Sequence, residues 1–307
     1  VAALFFVLLA KILPLYALMA LGFFAGRTLK VQRESIALLL IYIISPVVFF
    51  GATAQMHVEK AFMFLPVGVF IIAVLLGLGF YYLADKAWAG GRKNLAGYML
   101  GTANQGYFGI PVFLALFGEK NLGLYVVTGL GLTLYEATFG YYIMARGHYT
   151  VKESMQKVLK MPLLPCALAG IAFSAAGFSL PPAAKDFYAT FKGAYTILGT
   201  MIIGLSLGKL HHLKSDLKFT GLIFAGKFLC WPLAALVFLQ FYQAGIGPPP
   251  EIVRQCILLI SVMPVAANAA AFATYFNLEP EKAASVVALS TVFALFYIPF
   301  VMGLAGF

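Results

Sequence analysis

Two stretches of this 307-residue chain set polar amides beside helix-breaking residues inside apolar runs. The first reads Gly101-Thr102-Ala103-Asn104-Gln105-Gly106-Tyr107-Phe108-Gly109-Ile110-Pro111, and the second Ser261-Val262-Met263-Pro264-Val265-Ala266-Ala267-Asn268. Proline lacks the N–H that closes a helical ladder, so each stretch should interrupt its helix. A half-helix that begins at such a break points orphan N–H groups and a partial positive charge inward, where an anion is favoured. Asn104, Gln105 and Asn268 add amides that can hydrogen-bond a carboxylate or offer carbonyls to a cation. Their plainer role is to satisfy the backbone groups freed by the break. Gly106, Gly109, Ala266, Ala267 and Ala269 are small enough for two backbones to cross closely.

Two charged side chains lie deep in the later apolar runs, Glu136 and Lys227. An ionisable group at bilayer depth costs roughly 3 kcal/mol on insertion scales and marks a functional position. Glu136 can carry a coupled proton, ligate Na⁺ together with Thr133, or pair with Lys227 in a purely structural bridge. Lys227 lies ten residues into its run, too deep for easy snorkelling, so it needs a partner or a substrate carboxylate. Lys11, nearer an end, is expected to snorkel. His57, His148, His211 and His212 have no carboxylate or cysteine at ligand spacing, so no metal site is expected. Cys166, Cys230 and Cys256 sit in apolar runs and read as buried thiols.

The elements that must position these groups follow from composition. The chain is 62% apolar and 10% charged, against roughly 25% charged in a soluble domain. It belongs in a bilayer. Ten stretches reach the length of a spanning helix, at about 1–26, 35–55, 62–84, 94–117, 121–145, 159–178, 187–208, 217–243, 252–276 and 282–305. The loops after odd-numbered spans hold 14 of the 21 Lys and Arg, and those after even-numbered spans five. The first set should be cytoplasmic, leaving both termini outside. The net charge of +10 thus reflects basic loops facing an anionic leaflet rather than a nucleic-acid surface.

Five spans, a basic cytoplasmic linker at 146–160 and five more spans suggest two repeats, 1–145 and 161–307. An odd number per repeat forces opposite orientations, the inverted-repeat plan of secondary transporters. Pro14 and Pro165 are 151 residues apart, and Pro111 and Pro264 are 153 apart, which agrees. The fold class is therefore all-α integral membrane, with broken helices at spans 4 and 9. Gly22-x-x-x-Gly26 and Gly204-x-x-x-Gly208 are faces for close helix packing, within the chain or across a homodimer.

No H-E-x-x-H, G-x-S-x-G, P-loop or intramembrane aspartate pair is present, which argues against an enzyme and leaves a gradient as the driving force. The motifs resemble the auxin efflux carrier family of bacterial permeases and plant PIN proteins, within the bile/arsenite/riboflavin transporter superfamily. The likeness lies in Asn104-Gln105-Gly106-Tyr107-Phe108-Gly109-Ile110-Pro111, in Met263-Pro264-Val265-Ala266-Ala267-Asn268, in Ser45-Pro46-Val47-Val48-Phe49, and in Ala115-Leu116-Phe117-Gly118-Glu119.

The resemblance implies a bile-acid-symporter/PIN-like fold. Spans 1, 2, 6 and 7 would form a scaffold, and spans 3–5 and 8–10 a transport domain moving as an elevator. It implies substrate residues among Ser45, Asn104, Gln105, Gly106, Pro111, Lys227, Pro264 and Asn268, with Glu136 and Thr133 as ion-coupling or structural groups. It also implies residence in the bacterial inner membrane. The expected cargo is a small mono- or dicarboxylate such as malonate or malate, or an auxin-like acid, carried without a cofactor and coupled to H⁺ or Na⁺. Two other readings stay open. One is a sodium-coupled bile-acid-type symporter, although span 9 offers only Cys256, Ser261, Asn268 and Thr274 as polar groups. The other is a sensor that binds an anion without moving it.

Overall fold

The computed structural model describes residues 2–56, 60–88, 90–145, 162–208 and 216–307. Among them every regular element is helical. In chain order these are α1 Ala2–Thr28, α2 Arg33–Leu39, α3 Ser45–Ala54, α4 Phe64–Ala87, α5 Arg92–Gly101, α6 Ile110–Phe117, α7 Leu122–Tyr135 and α8 Tyr141–Ala145. They continue as α9 Leu163–Ala175, α10 Pro182–Gly208, α11 Leu217–Ala225, α12 Trp231–Gly245, α13 Glu251–Ser261, α14 Asn268–Tyr275 and α15 Pro280–Leu304.

Six continuous runs are long and apolar enough to cross a bilayer: Ala3–Thr28, Ser35–Ala54, Phe64–Ala87, Leu122–Met144, Leu217–Gly245 and Pro280–Leu304. Each falls within a few residues of an expected span. The other four expected spans differ for visible reasons. Two are interrupted, α5 from α6 and α13 from α14. The third, α10, carries Lys185, Asp186 and Lys192 in its first half, and the fourth is the shorter apolar helix α9. The linker expected at 146–160 and all four histidines lie outside the described residues.

Among the described residues four helices widen into a π turn, at Leu40–Ile44, Gln105–Gly109, Glu136–Gly140 and Gly226–Cys230. Three of these end two residues before a proline: Pro46, Pro111 and Pro232. The proline ring crowds the carbonyl four residues back and offers no N–H to it, and the wider turn relieves both. The turn at Glu136–Gly140 has no such proline, so its cause must be sought in Glu136 itself.

The outward faces are apolar. Phe64, Val67, Ile71 and Leu75 form a stripe along α4, and Leu233, Val237 and Phe241 another on α12, all exposed. In water such stripes would drive association, whereas in lipid they are the solvated surface. The core is built instead around α5, α7 and α13, where Asn94–Gly101, Leu122–Leu132 and Cys256–Ser261 are buried throughout.

α1 packs on α10 through glycine. A Cβ on Gly22 would come 2.1 Å from the Met201 carbonyl oxygen, and one on Gly204 would come 1.9 Å from that of Met19. These small faces are therefore consumed within the chain.

The two ends of the helices carry separate ion pairs. Arg92 at the start of α5 reaches Asp216 (3.2 Å) and Glu279 (2.7 Å), and Lys282 reaches Asp216 at 3.6 Å and Glu279 at 2.5 Å. Asp216 also caps α11 by accepting the Phe219 N–H at 3.1 Å. At the opposite end Lys192 of α10 pairs with Glu119. Loops after the third, seventh and ninth expected spans thus meet through these pairs, while the loop after the fourth meets α10.

The Phe219 N–H, with the charges of Lys282 and Arg92, holds the Asp216 carboxyl below its usual range. Partial burial works to raise Glu279, but hydrogen bonds from Lys282 and Arg92 outweigh it and also leave that carboxyl lowered. Depressed folded-state values stabilise the protein above the unfolded carboxyl range, and that contribution is lost as pH falls through the folded values.

Two outcomes are expected. Gly204→Leu, forced against backbone, should cost about 1–3 kcal/mol and lower the melting temperature in detergent by several degrees. Below about pH 4 the wild type should lose melting temperature more steeply than Arg92→Ala. At neutral pH that variant should cost at most about 1 kcal/mol, because its ion pairs are partly solvated.

Candidate functional site

The first break begins at Gly101, where a Cβ would lie 2.0 Å from the Tyr135 ring. The chain turns extended at Thr102 (φ −111°, ψ 158°), and helix resumes at Gln105 after Asn104 (φ −78°, ψ 56°). Three carbonyls at and just before the break accept from side chains. Trp231 Nε1 donates to Leu100 O at 2.5 Å, Tyr135 OH to Gly97 O at 2.9 Å, and Lys227 Nζ to Thr102 O at 2.5 Å. Lys227 is wholly buried and also lies 4.8 Å from the centre of the Trp231 ring. Its charge therefore sits at the negative end of the α5 dipole, a favourable position.

The second break runs through buried residues 262–267 between α13 and α14. The Val265 N–H reaches Ser290 Oγ at 3.3 Å. The Pro264 carbonyl, freed because the helix stops, accepts the Asn104 N–H at 2.9 Å. This bond joins the two breaks backbone to backbone. It is possible only because the residues beside it are small: a Cβ on Gly109 would come 2.1 Å from the Tyr125 hydroxyl and 3.2 Å from Met263 Sδ.

The side chains at the crossing divide into two groups. On one side, Gln105 Nε2 donates to Thr133 Oγ1 at 3.1 Å, and Gly129 leaves the room Gln105 occupies, since a Cβ there would be 1.6 Å from Gln105 Oε1. On the other, Asn268, the first residue of α14, donates through Nδ2 to Glu136 Oε1 at 3.1 Å, and Tyr98 OH donates to the same oxygen at 2.6 Å. Asn104 sits between them, 4% exposed, and its Nδ2 has no hydrogen-bond partner. A buried amide donor left unpaired costs about 1–3 kcal/mol.

The structure therefore brings Asn104, Gln105, Pro264 and Asn268 to one crossing, with Thr133 and Glu136 beside it. It does not pair Glu136 with Lys227, nor Thr133 with Glu136. Lys227 sits at the end of α5, on a backbone carbonyl. Pro111 lies buried inside the second half of its span, six residues past Gln105. Ser45 is buried against the Tyr195 hydroxyl, and that hydroxyl would be 3.2 Å from a Cβ on Gly106. Tyr98, Trp231 and Ser290 were not singled out by sequence. The two aromatic residues carry a weak signal, a polar ring tip within an apolar run that must find a partner when buried.

Comparison with known proteins finds likenesses to membrane transporters. Residues 7–158 match the family described as membrane transport protein. An uncharacterized transporter of Methanocaldococcus jannaschii is 26% identical across 94% of this chain and 95% of its own length. Several apolar helices mark a multi-pass membrane protein, and both likenesses are to membrane transport proteins.

Lys227→Met keeps the side-chain bulk but leaves the Thr102 carbonyl without its donor. It should cost about 1–3 kcal/mol, read as a melting temperature lowered by several degrees in detergent without ligand.

Proposed function

We propose that this protein is a secondary carrier of a small organic anion, bound where the two broken helices cross. The observation that carries the reading is the unpartnered, buried Asn104 amide. It lies at the Asn104 N–H to Pro264 carbonyl bond, between helix starts at Gln105 and Asn268. A carboxylate is the ligand such a place favours, because it accepts from amides and is attracted to both helix N-termini. No arginine fork is offered, so a mono- or dicarboxylate of modest size suits it better than a phosphate.

In this reading ten spans form two oppositely oriented repeats of five. Spans 1, 2, 6 and 7 hold still while spans 3–5 and 8–10 carry the crossing through the membrane. The odd-numbered loops face the cytoplasm of a bacterial cell and both termini face outward. Support comes from the character of the contacts between the two sets. Tyr16 OH donates to Thr291 O (2.8 Å), Lys11 Nζ to Leu116 O (3.3 Å), and Lys192 pairs with Glu119. Around them the contact is aromatic, with Tyr16 on Phe108 and Tyr107 on Tyr195 at ring separations near 6 Å. Such a surface can slide without leaving buried backbone unpaired.

The test is counterflow of labelled malonate and malate in liposomes. Asn104→Ala should lower the apparent affinity about tenfold or more, the cost of removing a hydrogen bond to a charged ligand, with its melting temperature little changed. Affinity and transport both within twofold of wild type would place the substrate elsewhere.

A further inference from the structure

Glu136 stands apart from every other charged group in the spans. Tyr98, three residues before the first break, and Asn268, the first residue after the second, both donate to one of its oxygens, Oε1. The residue as a whole is partly exposed. It opens a π turn that, unlike the other three, has no proline two residues beyond it. π turns within α-helices are frequent at functional sites.

The groups that face Glu136 are few. From α5 comes Tyr98 and from α14 come Asn268 and Phe272, whose ring packs on Tyr98 and Tyr141. Its own span supplies Thr133, bonded to Gln105, and Tyr135, bonded to Gly97. On the same π turn Phe139 packs against Phe70 of α4. Among the described residues no lysine, arginine or histidine acts on it. The deep cation, Lys227, is taken up by the Thr102 carbonyl.

We infer that Glu136 is a proton-binding site linked to the anion at the crossing, so that one proton and one anion are bound together. The inference rests on the proposed anion site for its second half only; proton binding at Glu136 stands independently of it. The physical reason is competition for Asn268. An ionised Glu136 holds the Asn268 amide through Oε1 and repels a second carboxylate in a water-poor setting, where like charges interact strongly. A proton added to the carboxylate converts –COO⁻ to –COOH, with no other bond made or broken. It removes the repulsion and frees the Asn268 amide to turn toward the substrate carboxylate. By linkage, the factor by which the proton strengthens anion binding is the factor by which the anion strengthens proton binding.

The experiment uses the full chain in lipid nanodiscs. Infrared difference spectra between about pH 5 and pH 9, without any added carboxylate, should show the carbonyl band of a protonated carboxylic acid that disappears as pH rises. That band should be absent from Glu136→Gln. Tyr98→Phe, which keeps the carboxyl but removes a donor to its ionised form, should displace the titration to higher pH. This identifies the band even if Glu136→Gln does not fold. A spectrum with no band that responds to either variant overturns the proton site.

Malonate and malate, as probes, are then titrated by calorimetry at about pH 6.5 and pH 8.5. Wild-type affinity should fall about tenfold or more at the higher pH. Glu136→Gln should keep nearly the same affinity at both, which controls for titration of the ligand itself. Equal pH dependence in the two proteins overturns the linkage while leaving the anion site standing. An affinity set by Na⁺ at fixed pH, and indifferent to pH, assigns the carboxylate to a metal cation and overturns the proton. If neither acid binds either protein at any pH, the anion site fails, and the infrared titration still decides the proton site.

Discussion

The hydrogen bond from the Asn104 N–H to the Pro264 carbonyl is the point on which the rest of this structure depends. A bilayer supplies no water to backbone groups, so a helix can stop inside it only where protein satisfies what the stop releases. Here each break meets part of the other's need, and side chains from three further spans meet more of it: Tyr135, Lys227 with Trp231, and Ser290. That requirement explains features otherwise unrelated. Gly101 and Gly109 are glycines because the satisfying groups must approach to contact distance, and Lys227 and Trp231 lie four residues apart so that one helix face serves two neighbouring carbonyls.

The unusual turns follow from the same pressure. Proline appears at the second position of α3, α6 and α12, each time after a π turn. Each π turn lets a long run continue through a proline without leaving a bare carbonyl in lipid. The widening at Glu136 has no proline to accommodate. It sits instead where a carboxyl accepts from both Tyr98 and Asn268.

The spans and the breaks were legible in the sequence because they depend on composition and on local chemistry. Apolar length marks a span wherever it occurs, and the amides beside Pro264 marked the second break to within a few residues. The first was less well placed. Pro111 draws the eye, yet the helix stops at Thr102–Asn104 and the proline is absorbed by a π turn. The stop is set by tertiary contacts, Tyr135 against Gly101 and Pro264 against Asn104, which no window of neighbouring residues contains. The partners of Glu136 were hidden for the same reason. Tyr98 is 38 residues away and Asn268 132, and an opposite charge in Lys227 looked like the obvious mate.

That the two deep charges do not pair has its own logic. Lys227 lies at the C-terminal end of α5, where the helix dipole is negative, and Glu136 touches the first residue of α14, where it is positive. Each half-helix end gives its charged neighbour what an opposite side chain would have given. A direct bridge would have tied span 5 to span 8 and spent both groups on each other, and breaking it would leave two uncompensated charges in lipid. Compensation by helix ends leaves Lys227 fixed on a backbone carbonyl as part of the frame. Glu136 is held only by two neutral donors, a hydroxyl and an amide, and either can turn away when the charge they serve is neutralised. The division between a cation on a backbone carbonyl and a carboxyl on two neutral donors is thus a consequence of breaking the helices, and it sets the carboxyl against the residue that begins α14.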